Sequence, residues 1–190
     1  MRNNIILAIS FMFLLIIGCT RPSNRKDDIE KEDKGDTVML HNDLYFSNNM
    51  ENINCWEISS PKVIKTTGHS GMHCSKINKD AQYSFGFSSK IQDFTTKKIK
   101  KALVRVWVSA TSMDFDAGIV CDINRNDSSV YWQSSGLKYF VTELGKWFEA
   151  TGSFKFPDNL TENDRVSIYV WISKGSADIF VDDFEIQFME

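Results

Sequence analysis

The sequence predicts an all-β sandwich over residues 37–190 of this 190-residue chain. Three observations carry that reading. Apolar residues recur at every second position through most of the segment, the mark of half-buried strands. No stretch carries the 3.6-residue apolar stripe of an amphipathic helix. Clusters of Asn, Asp, Ser, Gly and Pro separate the alternating runs and supply turns, and a succession of short strands joined by turns packs as two sheets.

The residues before the sandwich follow a different logic. Arg2 gives a positive start, and Ile5 to Ile17 form an apolar run broken only by Ser10, the layout of a secretory signal. A transmembrane helix needs about twenty apolar residues, and this run stops short of that. Ile16-Ile17-Gly18-Cys19 resembles the lipobox of bacterial lipoproteins. The resemblance implies that residues 1–18 are a removed signal peptide. Cys19 then becomes an N-terminus carrying diacylglycerol and an acyl chain such as palmitate. Each buried CH₂ adds about 0.8 kcal/mol, so two or more chains hold stably on a membrane. The expected location is the cell envelope, lipid-anchored to the outer membrane and facing either the surface or the periplasm.

From Thr20 to Asp36, eleven of seventeen residues are charged and Ile29 is the one large apolar side chain. Such a segment buries too little to pack. It is a solvated linker, residues 19–36 with the lipidated Cys, averaging on the order of 20 Å end to end. Arg25-Lys26-Asp27-Asp28 distantly resembles an acidic surface-export tag, and linker charge explains it as well. Residues 37–190 suit one domain with a single sizeable core. The precursor's net charge is −3, and loss of Arg2 lowers it by one. No basic cluster is interleaved with aromatics, which excludes nucleic acid as a partner. With Cys19 assigned to lipid, Cys55, Cys74 and Cys121 remain. Cys121 alternates with Ala117, Ile119 and Ile123 and reads as a small buried hydrophobe; Cys55 and Cys74 are a pair that an oxidising envelope could join.

Within the domain, Tyr83, Phe85 and Phe87 alternate with Ser84, Gly86 and Ser88. Ala102, Val104, Val106 and Val108 alternate with Leu103, Arg105, Trp107 and Ser109. Further strands are expected near 116–124, 129–133, 146–156, 165–173 and 178–188. At Arg165–Ser173 one face is Val166, Ile168, Val170 and Ile172, plainly core, and the other is Ser167, Tyr169, Trp171 and Ser173. Aromatics set among hydroxyls are unusual for a merely solvated face.

Several signatures in order now resemble the jelly-roll carbohydrate-binding modules of galactose-binding-like fold that are appended to xylanases and glucanases. They are Asn48-Asn49-Met50-Glu51 with Trp56, His69-Ser70-Gly71, Val104 to Val108, Gly145-Lys146-Trp147, Phe154 to Pro157, Ile168 to Trp171, and Ile179 to Glu185. The resemblance spans 44–190 and implies a jelly-roll β-sandwich. It says less of the ligand, because the same fold hosts adhesins and structural modules. Met50 departs from the family's usual aromatic before Glu51.

Strand parity places Asp182 with Phe180, Phe184, Ile186 and Phe188 on the apolar side, where a lone carboxylate is costly and needs compensation. Backbone amides are one solution. The resemblance implies another, a structural Ca²⁺ held by Glu51, Asp182 and carbonyls around Ser70, with Asp183 as the alternative carboxylate; oxygen ligands suit calcium. For a glycan, the expected face is Trp107, Tyr169, Trp171 and Tyr131, with Arg105 and Gln133 as polar neighbours. Sugar rings stack their C–H faces on aromatic planes and leave hydroxyls for hydrogen bonds. Trp132 and Trp147 have the parity or position of core residues. His41, His69 and His73 form neither a metal spacing nor a nucleophile–base pair, and His69 reads as a structural part of its turn. Asp114, Asp116 and Asp122 read as solvated rather than as a glycosidase pair. The expectation is a non-catalytic, lipid-tethered module binding a poly- or oligosaccharide, alongside glycoside hydrolases or envelope proteins. The rival is an adhesin or protein-interaction module in which the aromatics are core.

Overall fold

The computed structural model describes residues 44–51 and 62–190. The apolar leader, Cys19, the charged linker, Cys55 and Trp56 lie outside the described residues. Among the described residues, ten strands form two antiparallel sheets. The first sheet runs β2 (Val63–Lys65), β3 (His73–Ile77), β10 (Ile179–Met189), β5 (Lys101–Ala110), β8 (Phe148–Lys155), and β1 (Tyr45–Asn48) pairs with β10 beside β3. The second runs β4 (Phe87–Lys90), β9 (Arg165–Gly175), β6 (Phe115–Arg125), β7 (Ser128–Gly136). One turn of helix, α1 (Ile91–Phe94), and a 3₁₀ turn at Leu137–Tyr139 are the helical elements among the described residues.

The core lies between the sheets, built by the alternation visible in the sequence. Ala102, Val104, Val106 and Val108 of β5 face Val166, Ile168, Val170 and Ile172 of β9, and all are buried. At one end Phe46, Phe87, Phe94 and Phe188 close the sandwich, with ring centroids 4.9 to 5.9 Å apart. Cys74 and Cys121 are buried free thiols. Burial pushes the Cys74 thiol up to about 11 and raises that of Cys121 further.

Three departures from strict alternation matter for function. The run at 83–88 is regular only from Phe87. Upstream, the Ser84 hydroxyl replaces a ladder partner by accepting Val170 N–H at 2.8 Å, while Ser84 N–H donates to the Val170 carbonyl at 2.9 Å. Tyr83 therefore turns outward and is 45% exposed, unlike Phe85 and Phe87. In β7 the pairing runs Asn124 with Ser129 and then Ile123 with Tyr131, so Val130 is an extra residue. In β10 Asp182 pairs with Trp107 and Glu185 with Arg105, again with one residue to spare. Asp183 takes a positive φ of 46° there. Each such bulge reverses which side chains face the core beyond it.

Candidate functional site

The bulge in β10 corrects the parity of Asp182. Before it, Ile179 and Val181 face the core; after it, Phe184, Ile186 and Phe188 do. Asp182, opposite Trp107, lies instead on the outer face of the first sheet. It is nevertheless wholly buried, at 0% exposure, because the turn at 66–72 closes over it. Its Oδ2 accepts the backbone N–H of His69 at 2.8 Å and of Ser70 at 3.1 Å, and Oδ1 accepts that of Asp183 at 2.8 Å. Desolvation pushes its carboxyl up to about 6, opposed by those amides. Asp183 accepts from the Ser70 hydroxyl and the His69 ring, both at 2.6 Å.

Gly68 leaves a cradle beside this carboxylate. A Cβ there would lie 2.5 Å from Asp182 Oδ2 and 2.7 Å from the carbonyl oxygens of both Ser70 and His73. Three oxygens converging there could serve as ligands to a hard cation such as Ca²⁺. Glu51 and Asp183 are engaged beside it. Glu51 Oε1 accepts the N–H groups of Met72 and His73 at 2.7 and 2.8 Å, and Oε2 meets His73 Nδ1 at 2.8 Å. Those bonds hold its carboxyl below the usual value, the His73 ring contributing most. Among the described residues no three His, Cys, Asp or Glu side chains group as metal ligands, so any cation here would depend on backbone carbonyls.

The six residues expected to form one glycan face are not brought together. Arg105 and Trp107 lie on the outer face of the first sheet. There Arg105 pairs with Glu185, and Trp107 stacks on the His69 ring at 3.7 Å between centroids and 10° between planes. Trp107 and Glu185 border a groove of about 660 Å³ shared with Tyr45, Asn49 and Asp183. Trp147, half-buried, sits edge-on to His69 rather than in the core. Tyr131 and Gln133 belong to the inward side of β7. Tyr131 packs edge-on to Phe156 and donates its hydroxyl to Gln133 Oε1 at 2.8 Å.

Tyr169 and Trp171 remain on the outer face of the second sheet, and two aromatics outside the expected face join them, Trp132, which sequence parity set aside, and Tyr83. Trp132 is 50% exposed and edge-on to Trp171 at 6.0 Å. Its indole hydrogen-bonds Tyr169. Tyr83 lies over Trp171 at 6.5 Å and 17°, and edge-on to Tyr169 at 5.6 Å. Two glycines form the floor. A Cβ at Gly118 would meet Ser134 Oγ at 2.1 Å, and one at Gly86 the Ile168 carbonyl at 2.3 Å. Burial raises the Tyr169 hydroxyl to about 12, so it remains a neutral donor and acceptor. Trp171 Nε1 is buried with no hydrogen-bond partner among the described residues, an uncommon state for a buried donor.

Counting from the tight turn at Asn126 and Asp127 pairs Cys121 with Trp132 and so predicts a core tryptophan. The extra Val130 makes Asp122 its partner instead. No glycine marks that bulge. The available signal was Val130 and Trp132 recurring between serines, too polar a setting for a core strand.

The chain matches no protein-family model and no curated protein sequence. Its fold is similar to solved jelly-roll modules. The CBM22-1 xylan-binding domain from Paenibacillus barcinonensis Xyn10C superposes with a TM-score of 0.51 at 12% identity, covering 76% of this chain and 94% of that one. The CBM22-2 xylan-binding domain of the same protein gives 0.52 at 14%, covering 76% and 99%. The C-terminal family 22 carbohydrate binding module of Clostridium thermocellum Xyn10B gives 0.51 at 11%, covering 77% and 94%. The fold is thus the jelly-roll β-sandwich expected from the sequence.

Proposed function

We propose that this protein is a non-catalytic glycan receptor, tethered to the envelope by lipid on Cys19. The observation that carries the reading is the cluster of Tyr83, Trp132, Tyr169 and Trp171 on one sheet face, set among Ser134, Ser167 and Asp122. Flat aromatic planes beside hydroxyls and a carboxylate match the alternating apolar and polar edges of a sugar. The unpartnered Trp171 N–H supplies a donor for a ligand oxygen. Solved modules of the same fold are named as xylan-binding and carbohydrate-binding domains, which is consistent with this reading.

The face binds and does no chemistry. Glycoside hydrolysis needs two carboxyl groups flanking the bond, whereas Asp122, beside Tyr169 on this face, is spent accepting from Asn124 Nδ2 at 2.8 Å and Ser129 Oγ at 2.6 Å. A structural Ca²⁺ belongs to the same proposal, on the opposite face, with Asp182 Oδ2 and the Ser70 and His73 carbonyls as its ligands. It would offset the buried Asp182 charge and pin the turn that carries His69. Binding to a glycan array tests the main reading. Trp171→Ala or Trp132→Ala should weaken the bound glycan about three- to tenfold, the range of one aromatic contact. Undiminished binding by the doubly substituted protein removes this face.

A further inference from the structure

Tyr139 is 89% exposed, more than any other large apolar or aromatic side chain of the described residues. It is not a loose tip. It ends the 3₁₀ turn Leu137–Tyr139, whose Leu137 side chain is wholly buried and whose Leu137 carbonyl accepts Phe140 N–H at 3.0 Å and Val141 N–H at 3.3 Å. Val141 is buried on the other side of it. The backbone is held, and the ring alone turns out to solvent. Among the described residues the Tyr139 side chain makes no hydrogen bond and no ring contact.

The ladder joins this ring to the aromatic face. Trp171 pairs with Gly118 across β9 and β6, and Gly118 pairs with Gly136 across β6 and β7. Directly opposed residues share a face, so both glycines open to the outer side on which Trp171 lies. A Cβ on Gly136 would lie 3.7 Å from the Tyr139 ring and meet nothing else within 4 Å. The ring therefore stands on that same outer side. At about 4.8 Å per strand step, Gly136 is roughly 10 Å from Trp171 across the sheet. Gly136 has φ −67° and ψ 135°, a conformation open to any residue, so neither backbone nor packing requires a glycine there. Gly118 does need to be small, because Ser134 Oγ fills the place of its side chain, 2.1 Å from where a Cβ would sit. That hydroxyl has no hydrogen-bond partner among the described residues. The row thus has Trp171 at one end, with its buried and unpartnered Nε1, Tyr139 at the other, and a free hydroxyl above bare backbone between them.

From this row we infer that Tyr139 is a second stacking platform, and that the ligand is a linear oligosaccharide laid across the strands, one ring on Trp171, another on Tyr139 and the sugar between them bonded to Ser134 Oγ. The gap between the platforms is longer than one sugar ring and within the span of a short oligosaccharide. Aromatic planes take the C–H faces of sugar rings and a hydroxyl takes their polar edges. A tyrosine on a fixed turn has few rotatable bonds to immobilise, so little of its contact energy is spent on ordering. The inference rests on the glycan-binding reading and makes its ligand a run of several sugars rather than a single terminal one.

The test is titration calorimetry on the full chain in detergent with ladders of xylo-, cello- and manno-oligosaccharides, from the disaccharide to the hexasaccharide. In at least one ladder affinity should rise with length until the ligand spans both platforms. Tyr139→Ala should weaken the longest members about three- to tenfold, the range of one aromatic contact, while the shortest member that binds keeps its wild-type affinity. The melting temperature should not change, because the ring is exposed. Tyr139→Phe, which keeps the ring, should bind every length as the wild type does, and Trp171→Ala should weaken every length. Equal affinity of wild type and Tyr139→Ala at all lengths overturns the second platform and leaves the aromatic face standing. A loss of the same size at every length also overturns it, since a remote platform cannot act on a ligand too short to reach it. Binding to no member of any ladder overturns both readings.

Discussion

Asp164 and Asp182 are both fully buried carboxylates, and their surroundings drive them in opposite directions. Arg125 chelates Asp164 and Thr161 N–H donates to it at 2.7 Å, which holds its carboxyl down at about 2. Its folded value lies below the unfolded one, so its stabilisation is complete above about pH 4 and is lost as pH falls toward 2. Asp164→Asn should cost about 2 kcal/mol at neutral pH, the worth of a charged buried hydrogen-bond set, and the gap from wild type in urea midpoint should close as pH falls from 4 to 2. A gap independent of pH would show that the charge is not what stabilises. Asp182 has no cationic side chain among its bonds and relies on three amides. If Ca²⁺ completes its shell, millimolar calcium against a chelator should raise the melting temperature, by mass action about 2.7 kcal/mol at a hundredfold excess over Kd, and Asp182→Ala should abolish the rise. No rise removes the cation and leaves the carboxylate as a cap for the turn. Sequence showed that Asp182 needed compensation, but not that it sits on the outer face.

That misplacement belongs to the strands. β5 and β9 were legible because alternation runs unbroken through Ala102–Val108 and Val166–Ile172, the surplus residue of β9, Ser173, falling beyond that run, so alternation alone sorted Val104 from Arg105 and Val170 from Trp171. β10 and β7 were legible as strands and not as faces. One surplus residue in each, without a glycine or proline to announce it, turned Asp182 outward and exposed Trp132. Parity is a local rule, while a bulge is settled by the strand across the ladder. The same closeness of neighbouring strands makes the floor of the aromatic face intolerant of side chains. Gly118→Ala should cost about 1–3 kcal/mol as an overpacked site, because its methyl meets Ser134 Oγ and the Ser135 carbonyl. Thermal melts of Gly118→Ala against Gly145→Ala, where no atom lies within 4 Å but φ is positive, would separate crowding from backbone strain. Gly118 has no positive φ, so an unchanged melting temperature for Gly118→Ala would overturn the crowding.

At the scale of the whole molecule, the sandwich presents two unlike outer faces. One is aromatic, and the other is built around the stacked His69 and Trp107 beneath their acidic partners. The sequence indicated the fold class and half of the aromatic cluster; it could not show that Trp107 and Trp171 lie on opposite sides, since sheet assignment depends on pairings far apart in the chain. Anchorage is tested separately. Cys19→Ser should move the protein from the membrane fraction to the soluble one and end incorporation of labelled palmitate; retention on the membrane would disprove the lipid tether. Under that tether the short strand β1 acquires a mechanical meaning. Among the described residues, tension from an anchor on Cys19 would reach β1 first, where the Leu44 carbonyl accepts Phe188 N–H at 3.0 Å and four residues pair with β10. Phe46, wedged against Phe87, Phe94 and Phe188, is the plug that resists peeling. If the protein is a tethered receptor, a pull on its polymer would load this short seam and the Phe46 ring first, before any strand of the aromatic face.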